Sequence, residues 1–181
     1  NPNLKYLGNG AFRQTDALQK IENLPNSITY IDEACFRLSN VSMSELPSSL
    51  TYLGPDSFRY CPNISFTRIP VNVTTLLSGT FQMCNNILID TFGRDVTSEV
   101  IGAKENNIKI IAGHALSSTT AVTTGSKVTD IYIGNSVKYI GGQAFYEYGS
   151  PQGITVHDNS GLITDMNYIE IFGGIRPITR A

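Results

Sequence analysis

The sequence predicts an α/β repeat fold, a solenoid of about six stacked coils with short strands and brief helical turns. Two observations predict it. A three-point apolar pattern recurs six times, and the positions around it keep small or turn-forming residues in fixed register. Self-similarity at a period of about 20–50 residues is the mark of a stacked-repeat architecture.

The pattern is an aliphatic residue, a second one three positions later, and an aromatic residue five further on. It reads Leu4-x-x-Leu7 to Phe12, Ile28-x-x-Ile31 to Phe36, Leu50-x-x-Leu53 to Phe58, Val73-x-x-Leu76 to Phe81, and Val137-x-x-Ile140 to Phe145. A sixth copy, Ile108-x-x-Ile111 to Leu116, has Leu in the aromatic place. The first three intervals between marks are 24, 22 and 23 residues, and the next two are 35 and 29. The longer intervals imply loops inserted between coils. The chain therefore reads as one domain, 1–181, with an insertion at about 89–105 and a closing segment at 150–181.

The element before each copy is extended. Leu24-Pro25, Leu46-Pro47, Ile69-Pro70 and Ile133-Gly134 stand six residues before the second aliphatic mark. Proline cannot donate to a ladder and biases its predecessor toward β or polyproline geometry, so these steps end a short strand. Thr129 to Ile133 alternates polar and apolar residues, the strand period. Ile28 to Ile31 and its equivalents give a second short strand. Gly8 to Phe12 and Gly141 to Phe145 read as a turn entering one helical turn. Within it, Ala11, Cys35, Ser57, Thr80, Ala115 and Ala144 precede the mark. All are small, which points to a wall too tight for a larger side chain. A lone coil buries too few side chains to offset its ordering entropy, so stacking is what makes the fold possible.

Leu46-Pro47-Ser48-Ser49-Leu50-Thr51-Tyr52-Leu53-Gly54-Pro55-Asp56-Ser57-Phe58-Arg59-Tyr60-Cys61 resembles the signature of the BspA-like, or Treponema-type, leucine-rich repeats. Ile133 to Phe145 matches as well, with Gly134 in place of Pro. The resemblance covers most of residues 4–148; Thr91-Phe92-Gly93-Arg94-Asp95 fits none of its columns, and it fades after Gly149. It implies a leucine-rich-repeat solenoid wound as a right-handed superhelix. It also implies a surface or secreted protein that adheres to host proteins or other cells, and related repeats occur in phage-encoded proteins.

Composition excludes several function classes. Hydrophobic residues make up 41% and charged residues 15%, as in a folded domain. The formal charge of −2 gives no broad basic field for nucleic acid. No apolar run approaches the roughly 18 residues of a membrane helix, so no membrane insertion is expected. The two histidines, His114 and His157, are far apart in sequence, and His114 holds a column otherwise filled by Gly10, Ala34, Asp56, Gly79 and Gln143. That column reads as tolerant and exposed. No cluster with metal-ligand spacing, nucleophile elbow or phosphate loop is present, so neither a cofactor nor enzyme activity is expected.

Cys61 and Cys84 hold one column in adjacent coils, which leaves a disulfide open; the family resemblance favours buried reduced thiols, with Cys35 buried too. The sequons at Asn40, Asn63 and Asn72 matter only in a eukaryotic secretory pathway.

Two sets of residues suggest a ligand surface. Tyr6, Tyr30, Tyr52 and Tyr139 each precede a core aliphatic and face away from it, either as a stabilising side-chain ladder or as a platform on which Tyr30 and Tyr52 meet a ligand. Asn23, Glu45, Arg68 and Tyr132 precede the Leu-Pro or Ile-Pro step, and their chemistry varies from coil to coil. The expected function is an extracellular or cell-surface binding and adhesion module for a protein or glycan ligand. The alternative is a structural part of a larger assembly such as a phage tail or virion. The first coil lacks its preceding strand, so further repeats or a cap are expected upstream, and the coil ends would be covered by neighbouring domains or self-association.

Overall fold

The computed structural model describes residues 3–95, 104, 106–118, 127–174 and 177–181. Its elements in chain order are β1 (Tyr6–Leu7), β2 (Tyr30–Ile31), β3 (Tyr52–Leu53), β4 (Thr75–Leu76), β5 (Thr91–Phe92), β6 (Ile110–Ile111), β7 (Asp130–Ile133), β8 (Tyr139–Ile140), β9 (Ile154–Asp158), α1 (Tyr168–Phe172) and β10 (Ile178–Arg180). They form a β-solenoid of about six turns with two parallel faces. On the first face β1-β2-β3 is followed by β4-β6-β8, in the register that the aliphatic marks require: Leu7 beside Ile31 beside Leu53, and Leu76 beside Ile111 beside Ile140. On the second face lie the bridges Lys20–Ser42 and Met43–Ile64, then the sheet β5-β7-β9-β10.

The aromatic marks stack as one column through the coils. Phe12 lies on Phe36 at 5.0 Å between ring centroids, Phe36 on Phe58 at 5.0 Å, and Phe58 on Phe81 at 5.8 Å. Leu116 carries the column across to Phe145 by backbone bonds, Phe81 N to Ala115 O and Leu116 N to Ala144 O. Phe145 then stacks on Phe172 of α1 at 5.2 Å. Phe172 is thus a further rung that the sequence pattern does not reach, because Asn167 and Thr164 stand where the aliphatic marks belong. Phe66 and Phe92, from the second face, meet the column edge-on.

Between the faces the chain does not form the expected helical turn. It runs through successive tight turns, and α1 is the one α-helix among the described residues. The reason is an alternation of hydrogen bonds. In the second coil Ala34, Phe36 and Leu38 donate forward to Pro55, Ser57 and Arg59 of the next coil. Cys35, Arg37 and Ser39 between them donate back within their own coil to Asp32, Ala34 and Phe36. A helix would turn every N–H along its own axis. Here the residues two before and two after the mark take positive φ, which rotates alternate N–H groups toward the neighbour. They are Gly10, Ala34, Asp56, Gly79, His114 and Gln143 before it, and Gln14, Leu38, Tyr60, Met83 and Glu147 after it. His114 is exposed as expected, but its column is a backbone requirement, filled without regard to side chain.

The prolines close the coils. Pro25, Pro47 and Pro70 each accept from the N–H three residues on, at Ile28, Leu50 and Val73, and Gly134 accepts from Val137 in the same way. A Cβ on Gly134 would lie 1.9 Å from Arg94 O, so glycine there reflects a close approach of two backbones.

Thr91-Phe92-Gly93, which fits no column in the sequence, turns out to be a strand-and-corner step like Tyr132-Ile133-Gly134. Thr91 pairs with Tyr132 and Phe92 with Ile133. Ile87, Ile89 and Phe92 are fully buried, so the core includes residues at the start of the stretch that reads as insertion, most of the rest of which lies outside the described residues. Asn106, itself buried, ties this corner to the following coil. Its Oδ1 accepts from Gly93 N at 2.8 Å and Ile108 N at 3.2 Å, and its Nδ2 donates to Thr91 O at 2.9 Å.

Candidate functional site

Core columns leave two faces and the turns as places for recognition. On the first face Tyr6, Tyr30 and Tyr52 form a stacked ladder, with centroids 4.9 and 4.1 Å apart. Tyr30 has a ring against each of its faces, so the ladder presents edges and hydroxyls rather than open ring faces. Tyr6 donates its hydroxyl to Asp32. That hydrogen bond is the main reason its phenol is pushed up to about 12. Tyr139 is exposed in the same column beside Ile110.

The second face carries grooves. One, of about 340 Å³, is lined by Glu45, Leu46, Thr67, Arg68, Val71 and Lys104 among others. The other, of about 630 Å³, is lined by Thr67, Leu88, Asp90, Lys104, Lys127 and Tyr132 among others. Thr67 and Lys104 line both, so the two grooves adjoin and together are called the trough. Lys104 pairs with Asp90. Arg68 Nη2 and Glu45 Oε1 are 3.9 Å apart on adjacent coils, and both side chains are largely exposed. Asn23 is exposed but lies outside both grooves. The structure thus brings Glu45, Arg68 and Tyr132 to one trough, and leaves Tyr30 and Tyr52 on the other face.

Tyr132 stacks flat on His157, centroids 4.3 Å apart and planes 5° from parallel. His157 Nε2 is 3.0 Å from Asp130 Oδ1. This hydrogen bond, with a second from Thr129, holds the Asp130 carboxyl below its ordinary range. Partial burial pushes the Tyr132 phenol up, helped by the negative charges of Asp130 and Asp90. His157 thus backs one face of the Tyr132 ring, and Tyr132 itself lines the larger groove. The lining carries three acids, Glu45, Asp90 and Asp130, and three bases, Arg68, Lys104 and Lys127. Such a surface can hold a ligand by ring contact and charge-assisted hydrogen bonds.

The repeat pattern does not lead to Asp90, Lys104, Asp130 or His157. One signal was present: Phe92-Gly93 copies Ile133-Gly134, which places Asp90 and Thr91 on the face that carries Tyr132. The histidine of β9 follows from the same register, Tyr132 beside His157.

Cys61 and Cys84 are free and buried, as is Cys35. Each of the first two donates its Sγ to a ring-bearing coil's carbonyl, Cys61 to Phe36 O and Cys84 to Phe58 O, both at 2.8 Å. No disulfide joins them. No group of His, Cys, Asp or Glu that could hold a metal ion occurs among the described residues.

The model of a family described as BspA type leucine-rich repeat region matches residues 1–98 and 119–169, in six copies. No curated protein and no solved structure matches the chain.

Proposed function

The chain belongs to the BspA-type leucine-rich repeat family, and from that premise we propose that it is an extracellular adhesion module that binds a protein or glycan through the second-face trough. Leucine-rich repeats mediate protein–protein interaction, and solenoids of this family typically serve as non-catalytic binding scaffolds. The observation that carries the reading is the trough itself. Glu45, Arg68 and Tyr132 occupy equivalent places in different coils, yet one is acidic, one basic and one aromatic. The columns behind them stay aliphatic. Chemistry that varies on a constant frame suits a surface selected for a partner rather than for folding. We take the winding as right-handed, the hand adopted by about 98% of parallel crossover connections.

The test measures attachment of the chain to arrayed host-matrix proteins and glycans, with Arg68→Ala and Tyr132→Ala alongside. Interface anchors of this kind cost about 1–4 kcal/mol when truncated, a loss of about fivefold or more in affinity. Melting temperatures should hold steady, since both side chains lie outside the core. Attachment undiminished in both variants would remove the trough from consideration. If removal of whole coils then abolished a larger assembly, the chain would be a spacer of a virion or tail.

A further inference from the structure

We propose a second docking surface on the turns, a strip for an acidic, amphipathic peptide segment of a protein partner. Two rows run side by side there through the first four coils. The row one residue after the mark is Arg13, Arg37, Arg59 and Gln82; the row two after it is Gln14, Leu38, Tyr60 and Met83. Backbone bonds hold them in register, Gln14 N to Arg37 O, Leu38 N to Arg59 O and Tyr60 N to Gln82 O, each at 2.9 Å.

The second row is where the physics is unusual. Gln14, Leu38, Tyr60 and Met83 have φ of 55°, 60°, 58° and 62°. Residues with a side chain are disfavoured in that region, and glycine or asparagine is the usual occupant. The matching left-handed column before the mark does use Gly10 and Gly79. This row instead carries Leu, Tyr and Met in three adjacent coils. The core does not explain them. Tyr60 is exposed, Leu38 and Met83 are half-buried, and none belongs to the buried cluster or to the half-buried side chains packed on it. Large apolar side chains kept at strained, outward-facing positions point to a use outside the fold.

The neighbouring row supplies charge. Arg37 Nη1 and Arg59 Nη1 both lie 3.3 Å from the same oxygen, Asp56 Oδ2. The Arg59 guanidinium sits 5.2 Å from the Tyr60 ring centroid, so the two rows touch. In the first coil Gly10 stands where Asp56 does, beside Arg13. Arg37 and Arg59 thus share one carboxylate, and Arg13 has no ion pair among the described residues, on a chain whose formal charge is −2. The occupant follows from complementarity: carboxylates for the arginine forks and apolar side chains to cover Leu38, Tyr60 and Met83. A sulfated polysaccharide would meet the first row and leave the second in water. The three steps of about 4.8 Å between four coils span about 14 Å, the reach of about four extended residues.

The experiment titrates a fluorescent peptide of alternating Asp and Leu against the full chain by anisotropy. A peptide of alternating Asp and Ser and a heparin fragment serve as comparison probes. Saturable binding of the Asp-Leu peptide is expected, about tenfold weaker for the Asp-Ser peptide. It should weaken about tenfold in Arg37→Gln/Arg59→Gln, and measurably in Arg13→Gln, whose side chain has no ion pair among the described residues to lose. Leu38→Gly/Met83→Gly should also bind more weakly while melting no lower than the parent, because glycine relieves the backbone. Absence of peptide binding, equal binding of the Asp-Ser peptide or heparin, or a lower melting temperature for the glycine pair would each overturn the proposal. The trough variants Arg68→Ala and Tyr132→Ala should bind this peptide normally, which separates the two surfaces.

Discussion

Phe58→Ala removes the middle rung of the ring column, and the structure sets how much that should cost. Phe58 is fully buried. It stacks on Phe36 at 5.0 Å and on Phe81 at 5.8 Å, and meets Phe66 edge-on at 5.3 Å. Truncating a buried Phe to Ala costs about 3–5 kcal/mol. Three aromatic contacts, each worth about 0.5–1.5 kcal/mol beyond burial, place this site toward the upper end, at about 4–5 kcal/mol. Phe12 is the internal comparison. It is half-buried and has one stacked neighbour, so Phe12→Ala should cost about 1–2 kcal/mol. Urea denaturation followed by circular dichroism measures both. Because each coil contacts only its neighbours, loss of a central rung should also decouple the two ends of the stack. The expected sign is a broadened or two-step transition for Phe58→Ala, against a single step for Phe12→Ala. Equal losses in the two variants, or a loss under about 1.5 kcal/mol at Phe58, would refute the idea that the rings couple coil to coil.

Asn106→Ala orphans two backbone donors and one acceptor at buried positions and should cost about 3 kcal/mol, with faster hydrogen exchange at Gly93 and Ile108; unchanged exchange there would clear Asn106 of any clamping role. Ultraviolet titration should find the Tyr6 phenol ionising near 12, and Asp32→Asn should bring it back toward about 10. Since the folded value is the raised one, the Tyr6 contact supports the fold below about pH 10 and its contribution is lost as pH rises through about 12. Burial pushes Cys35 and Cys61 up to about 12, and Cys84 well above its ordinary value, so none of the three thiols should react with a thiol reagent at neutral pH until urea unfolds the chain. One thiol modified in the native protein would contradict the burial of its column.

What the sequence discloses of this fold is what repeats. Phe12, Phe36, Phe58, Phe81 and Phe145 recur at fixed distance from two aliphatic residues, and that distance is set by one circuit of the coil, so spacing alone predicts the column. The circuit breaks down as a guide where a coil is filled differently. Phe92 stands 23 residues after Ile69, in the place of Leu46 or Ile69, but an aromatic followed by Gly93 replaces the aliphatic-Pro step and hides it, and Phe172 reaches the column from α1 without the aliphatic marks before it. The turn conformation is hidden for another reason. Left-handed backbone is usually announced by glycine or asparagine, and here Ala34, Asp56, His114 and Gln143 occupy it because the ladder to the next coil demands it. The trough was half legible. Glu45, Arg68 and Tyr132 follow from the Leu-Pro register, whereas Lys104 stands in a stretch of sequence that no period predicts.

This division bears on how such a protein changes its partner. The bonds that stack the coils run from backbone to backbone at the turns and on both faces. Outward side chains on the second face therefore carry little of the fold's stability, and Glu45, Arg68 or Tyr132 can be exchanged with the stack intact. The turn rows differ. Every residue at Leu38, Tyr60 or Met83 must tolerate positive φ, so glycine would suit the fold better than what is there. Retention of large side chains against that preference is an argument the second face cannot offer, since its strand geometry accepts almost any residue. Glycine scanning separates the cases: at the turn row it should spare or raise stability, and in the strands of the second face, where glycine weakens a strand, it should lower stability at every position. A turn row that lost stability on substitution by glycine would show that its side chains serve the stack after all.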